Sequence, residues 1–183
     1  MRLQVNVGFA PNREHLKQIV LYNLEKAKKL ASYRITICNV DSLVKNNPLH
    51  EKYNFMTKYG KANHDFVMKL DGDTLVHEDI FLRLEAVLKQ KPAIIGFTRI
   101  LFFDINQFQI KETTGDPVGS CIVNSDYADS YFTEGNRHTA IFKKIQEKGG
   151  ILHNVSDKPY MIDIKDGLNI WRFDQIGGKT VYL

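Results

Sequence analysis

Sulfur is scarce in this sequence, and long apolar runs are missing. Of its 183 residues only two are cysteines, Cys38 and Cys121, and both sit in apolar, strand-like stretches. They read as buried thiols in a reducing compartment rather than as a disulfide framework. No apolar run approaches the roughly eighteen residues needed to cross a bilayer. The first residues lack the apolar core of a signal peptide. The expectation is a cytoplasmic protein, or one held on a membrane surface by some other contact. The cysteines and histidines, including His64 and His77, lack the spacing of a zinc site. There is no Gly-x-Ser-x-Gly elbow and no Gly-x-x-x-x-Gly-Lys phosphate loop, which weakens hydrolase and ATPase readings. No motif of a nucleic-acid module is present, so DNA or RNA is disfavoured as a partner. Repeats, low-complexity runs and clear linkers are also lacking, and the length suits one domain.

What is present is ordinary for a globular protein: 43% hydrophobic and 25% charged residues, enough to bury a core without staples. The formal charge of +4 is modest. Its distribution is uneven, with Lys26, Lys28 and Lys29 in one expected helix and Lys143, Lys144 and Lys148 in another. These are either solvated helix faces or an attraction for a polyanionic or lipid-linked partner.

Along the chain, Leu3 to Val7 alternates as a strand, and Gly8 to Arg13 is a turn. Glu14 to Leu30 carries the helical stripe Leu16, Ile19, Val20, Leu24 and Ala27. Tyr33 to Val40 is a second strand ended by Asp41. Strand, helix, strand opens a parallel α/β sheet. Ser42 to Pro48 is a loop, and Leu49 to Tyr59 a helix closed by Gly60. Phe66 to Leu70 is a third strand, Asp79 to Gln90 a helix, Ala93 to Phe97 a fourth strand and Ile100 to Phe103 a fifth. Asp104 to Pro117 is a hydrophilic excursion, and Gly119 to Val123 a small strand. Helices are expected from Ser125 to Phe132 and from Thr139 to Lys148. A strand from Ile151 to Val155 precedes short segments to Leu183.

The chemistry concentrates at Asp71-Gly72-Asp73, where the third strand ends, ahead of a helical stretch from near His77. Residues two apart share a strand face, and the glycine between lets the backbone approach a bound group and the side chains converge. Two uses fit: a tight turn rich in these residue types, or a carboxylate pair holding Mg²⁺ or Mn²⁺. Position after a buried strand and before a helix favours the second.

The stretch Tyr53 to Thr74, with Lys58-Tyr59-Gly60-Lys61-Ala62-Asn63-His64-Asp65 leading into Phe66-Val67-Met68-Lys69-Leu70-Asp71-Gly72-Asp73, resembles the GT-A nucleotide-sugar glycosyltransferases, and most closely their inverting family-2 type. The resemblance implies an α/β fold: a single Rossmann-like GT-A domain over 1–183, with a central, mostly parallel sheet flanked by helices. Residues 1–103 would form its nucleotide-sugar half and 104–183 its acceptor side. It implies that Asp71 and Asp73 bind the metal and, with Gly72, the donor diphosphate. The opening Asn6 to Arg13 is similar to that family's nucleotide-cradling strand and loop. Ala10, Pro11, Asn12 and Arg13 are thereby donor-binding candidates, with Arg13 suited to phosphate. Asp41 falls where the family contacts the base. Lys61 and Arg99 complete the donor set. Lys69 precedes the pair, but strand alternation is expected to point it away from the lip; for it and for Arg99, core packing or solvent exposure is the plainer reading.

The later stretch Gly119 to Leu152 resembles the family's acceptor-side segment. Glu134 matches the first of its two acids and implies a base for the acceptor hydroxyl. Gly135 stands where the second acid is expected, so Asp129 or Asp126 is an alternative. His138, within a turn of Glu134, and Trp171 are acceptor-binding candidates; a surface histidine and a core tryptophan are the plainer readings. The family's late histidine is missing at its usual place, which leaves His153, Asp163 or Asp166 as a third metal ligand.

Taken together, the resemblance implies a metal-dependent enzyme using Mn²⁺ or Mg²⁺. It would transfer sugar from a nucleotide-diphosphate donor to the hydroxyl of a glycan, lipid-linked or other acceptor, with inversion. The alternatives are a nucleotidyltransferase-like enzyme and a noncatalytic nucleotide-sugar or glycan-binding domain of the same fold. The last thirty or so residues would serve as a lid or as a contact in a homo-oligomer.

Overall fold

The computed structural model describes residues 1–9, 13–40, 49–115, 120–128, 139–167 and 173–182. Among them two sheets are found rather than a single parallel one. The first has six strands: β1 (Arg2–Gly8), β2 (Arg34–Asn39), β3 (Phe66–Asp71), β5 (Ile94–Phe97), β8 (Cys121–Asn124) and β9 (Leu152–Val155), in the order β2-β1-β3-β8-β5-β9. Only β8 runs against its neighbours. The second has five strands, ordered β11-β7-β6-β10-β4: β4 (Thr74–Val76), β6 (Arg99–Asp104), β7 (Gln109–Thr114), β10 (Met161–Lys165) and β11 (Lys179–Tyr182).

The first sheet is covered on both faces, which is why its strands do not simply alternate between core and water. In β1 the apolar Leu3, Val5 and Val7 are buried, and so are the polar Gln4 and Asn6 between them. Gln4 Nε2 donates to Asn6 Oδ1 at 2.7 Å and to the Met56 carbonyl at 3.1 Å. Met56 belongs to α2 (Leu49–Asn63), which lies over this polar stripe. The helix runs through Gly60 rather than stopping there. A Cβ at Gly60 would stand 2.6 Å from Val67 Cγ2 and 3.1 Å from Gln4 Nε2. That glycine serves close helix–sheet packing, not a cap.

The helix α1 (Glu14–Lys28) buries Leu16, Val20, Leu24 and Ala27 as its period dictates, while Ile19 is turned to solvent. Its Asn23 pairs both ways with the Val76 backbone, at 2.8 and 2.9 Å, and so fastens β4. The helix α3 (Ile80–Lys89) packs Ile80, Phe81, Leu84, Val87 and Leu88 into the same core. A separate cluster joins α4 (Thr139–Glu147), through Ile141, Phe142 and Ile145, to Ile94, Cys121 and Val123. Cys38 and Cys121 are both free thiols.

Three further sequence expectations are corrected. The hydrophilic excursion after Phe103 is a β-hairpin, β6 to β7. Asp73 leads into strand β4, and the helix starts only at Ile80. Of the helix expected from Ser125 to Phe132, residues 125–127 form a turn and 129–132 lie outside the described residues.

Candidate functional site

Strand order fixes where a ligand can sit. β1 lies between β2 and β3, so the connections leave it in opposite directions and open a crevice at the strands' C-terminal ends. In register, Gly8 of β1 faces Asp71 of β3. The end of the first strand and the acidic pair therefore share one lip. Gly72 belongs there for a steric reason: an added Cβ would lie 2.5 Å from Phe9 Cδ1 and 2.6 Å from the Gly8 carbonyl oxygen. What comes close to this glycine is the neighbouring strand end.

Asp71 is held from below. Lys69, two residues earlier on the same strand face, places Nζ 2.7 Å from Asp71 Oδ1. Strand alternation thus brings Lys69 to the pair rather than away from it. Tyr53 of α2 is fully buried, and its hydroxyl ties three elements. It donates to the Leu70 carbonyl at 2.7 Å, accepts from the Gly8 N–H at 3.1 Å and stands 3.4 Å from Asp71 Oδ1. Burial, and secondarily the Asp71 charge, push its phenol well above the usual range.

Asp73 faces the second sheet. Its backbone carbonyl accepts from Ile164 N–H at 2.8 Å, which brings β10 alongside. Arg13, buried at the foot of α1, points Nη2 to 3.9 Å from Asp73 Oδ2 and pairs through Nη1 with Asp166. Asp166 also takes His15 Nε2 at 3.0 Å. Asp163 of β10 accepts from Thr74 Oγ1 at 2.6 Å, with Lys165 Nζ 4.0 Å away. Burial and the nearby charges crowd these carboxyls. Asp73 is raised by burial and then by Asp71, against the pull of Lys165 and Arg13. Asp163 is pushed up to about 7 by burial and then by Asp73.

Thus Asp71, Gly72, Asp73 and Arg13 come together at one lip. Other candidates do not. His153 lies on β9, three strands from β3, and aligns through β5 and β8 with Met68 rather than with Asp71. That separation is ~14 Å across the sheet alone, so His153 does not complete a metal site at the pair. Lys61 is two helical turns beyond Tyr53, ~12 Å along α2 and away from the lip. Arg99 opens β6, level with the start of β10, and is engaged by Glu112 at 2.7 Å and the Asp157 carbonyl at 2.9 Å. Ala10, Pro11, Asn12, Asp41, Asp129, Glu134, His138 and Trp171 lie outside the described residues.

Sequence reasoning misses Tyr53 and Lys165 and turns Lys69 away from the pair. For Lys69 the two-residue spacing was the available signal; nothing local marks Tyr53 or Lys165.

Among the described residues no group of three or more His, Cys, Asp or Glu side chains is arranged to hold a metal. The donor set at the lip is nonetheless all oxygen, which suits Mg²⁺ or Mn²⁺. Magnesium commonly takes only one or two protein carboxylates and completes its shell with phosphate and water. Crowded carboxyls with raised affinity for protons have the electrostatics that a cation relieves. The residues fit such an ion as Asp71 and Asp73 plus a phosphate-bearing ligand, not as an all-protein cage.

No protein-family description matches the chain, and no curated protein matches it in sequence. Solved structures do. A Drosophila β1,4-galactosyltransferase 7 variant, crystallised with manganese, UDP-Gal and xylobiose, superposes with a TM-score of 0.59 at 12% identity, covering 95% of this chain and 78% of that one. The chain has the GT-A architecture. A glycosyltransferase involved in glycosylation of the PBCV-1 major capsid gives 0.54 at 12% identity, covering 89% and 93%. The 4-diphosphocytidyl-2C-methyl-D-erythritol synthase of Anaerococcus prevotii gives 0.52 at 12% identity, covering 84% and 88%. At such identities the likeness is one of fold. These neighbours are enzymes, while the fold alone does not choose among their reactions.

Proposed function

We propose that the chain is a metal-dependent glycosyltransferase that moves a sugar from a nucleotide-diphosphate donor to an acceptor hydroxyl. The observation that carries this is the placement of Asp71 and Asp73 at the β1/β3 crevice, with buried Arg13 beside them. Asp71 and Asp73 would hold Mg²⁺ or Mn²⁺, which when bound would supply positive charge against the departing diphosphate. Arg13 adds a guanidinium whose fork suits phosphate oxygens, pre-set by Asp166. Tyr53 and Lys69 fix the Asp71 carboxylate from the core side. The base that takes the acceptor proton is sought in Glu134, with Asp129 as its alternative; inversion and the family-2 likeness rest on the sequence resemblance. His138 and Trp171 are the acceptor contacts.

A second reading, nucleotidyl transfer, draws support from the similarity in fold to the diphosphocytidyl-methylerythritol synthase. Product analysis separates the two: glycosyl transfer releases a nucleoside diphosphate, nucleotidyl transfer releases pyrophosphate. The first test is a thermal-shift panel of nucleotide sugars with and without Mn²⁺. A metal-stimulated shift that disappears in Asp73→Asn is expected. Equal donor binding in that variant would remove the basis of the proposal.

A further inference from the structure

We propose that Lys69 is a built-in counter-ion that competes with a divalent cation for Asp71, so that the site without donor holds metal only weakly. This rests on the reading of Asp71 and Asp73 as metal ligands.

Lys69 sits in the middle of the sheet, between Asn6 of β1 and Cys121 of β8, and is only 6% exposed. An ammonium in such a place has to be paired. It is paired with a proposed ligand itself, at 2.7 Å from Asp71 Oδ1. Its other side is closed by the Tyr53 ring, whose centroid lies 5.0 Å from Nζ. The Tyr53 hydroxyl, 3.4 Å from the same oxygen, backs the carboxylate on its core side. A divalent ion on Asp71 would sit about 2 Å from a carboxylate oxygen, and therefore within a few ångströms of a fixed positive charge. Two positive centres at that range in a partly buried site repel strongly. A donor diphosphate brings the negative charge that offsets this repulsion, and so favours entry of metal together with donor.

The plainer alternative is that Lys69 only orients Asp71 and fills the space below it. The two differ in the sign of one measurement. Free Mn²⁺ is followed by electron paramagnetic resonance during titration of the full chain, for wild type, Lys69→Met, Lys69→Arg and Asp73→Asn, without nucleotide. Competition predicts that Lys69→Met binds Mn²⁺ tighter by at least ~10-fold, that Lys69→Arg, which keeps the charge, stays within about twofold of wild type, and that Asp73→Asn loses binding. Binding by Lys69→Met where wild type shows none supports the inference equally. Equal or weaker binding in Lys69→Met, with Mn²⁺ still bound by wild type and lost in Asp73→Asn, overturns the role of Lys69 and leaves the metal reading standing. Tighter binding in Lys69→Arg overturns it too. No binding by wild type or Lys69→Met overturns the role of Lys69, and the metal reading then stands or falls on the donor-dependent thermal shift alone. Circular dichroism checks each fold, and Lys69→Gln, neutral and polar, replaces the methionine variant if that one does not fold.

Discussion

Removing one oxygen from the centre of the site should cost more than its size suggests. Tyr53→Phe keeps the ring, its core contacts and its place under Lys69, and deletes only the hydroxyl. That hydroxyl is the acceptor for Gly8 N–H at 3.1 Å and a donor to the Leu70 carbonyl at 2.7 Å, both in buried backbone at the ends of β1 and β3. A buried donor that loses its acceptor costs about 1–3 kcal/mol, and a carbonyl that loses a donor somewhat less, so about 2–4 kcal/mol is expected. For a chain of this length that is a fall in Tm of ~5–15 °C. The asymmetry of the distances matters: the proton goes to Leu70, and Asp71, at 3.4 Å, receives a dipole more than a hydrogen bond. Urea unfolding followed by circular dichroism gives the free-energy difference. A loss below about 0.5 kcal/mol, the spread of ordinary neutral substitutions, would refute the view that this hydroxyl ties the two strand ends.

Three further expectations follow from the same geometry. Gly72→Ala drives a Cβ to within 2.6 Å of the Gly8 carbonyl oxygen and 2.5 Å of Phe9 Cδ1; as backbone cannot swing aside, a cost of about 1–3 kcal/mol is expected, and an unchanged urea midpoint would contradict it. Arg13→Met leaves Asp166 and Asp73 facing each other without their shared cation, which should destabilise by about 3–5 kcal/mol, read by thermal unfolding; a loss under 1 kcal/mol would mean that the pair is not structural. Asp163 is raised from 3.8 to about 7, so the folded state keeps a proton that the unfolded chain has shed. Its contribution falls as pH rises through that window, by at most about 1.4 kcal/mol per pH unit. Asp163→Asn should thus gain on wild type from about pH 4 to about pH 7, and a pH-independent gap in unfolding free energy would dismiss the crowded-carboxylate account.

The parts of the fold that local pattern reveals are those whose side chains are committed to one environment. β1 alternates, β3 and β5 are short, mainly apolar runs, and α1 and α3 carry a helical period, so each announces itself without knowledge of its neighbours. The second sheet does not. Gln109 to Thr114 is half-buried or exposed along its length and reads as polar linker, yet it pairs with β6 on one side and β11 on the other. Thr74 to Val76 is too short to show a period and exists because β10 pairs with it and Asn23 caps its edge. Such strands are fixed by partners far away in sequence.

The candidate site divides along the same line. Asp71, Gly72, Asp73 and Arg13 are legible because each stands at the end of a legible element. Asp163 and Asp166 were named only as substitutes for a missing histidine, with nothing to rank them above His153. The ranking comes from topology: β10 is bound to Asp73 through Ile164, whereas β9 lies across the sheet. Beyond the two-residue spacing of Lys69 and Asp71, the sequence pattern also holds no hint that the carboxylates meet buried cations of their own. Lys69, Arg13 and Lys165 each stand within 4.0 Å of an acid at the lip. A site whose charges are already matched internally differs from an open acidic pair in one respect. On the proposed function it would admit a metal ion only by redistributing cations it already holds, so that the donor's phosphates, rather than the carboxylates alone, would be the deciding partner in metal binding.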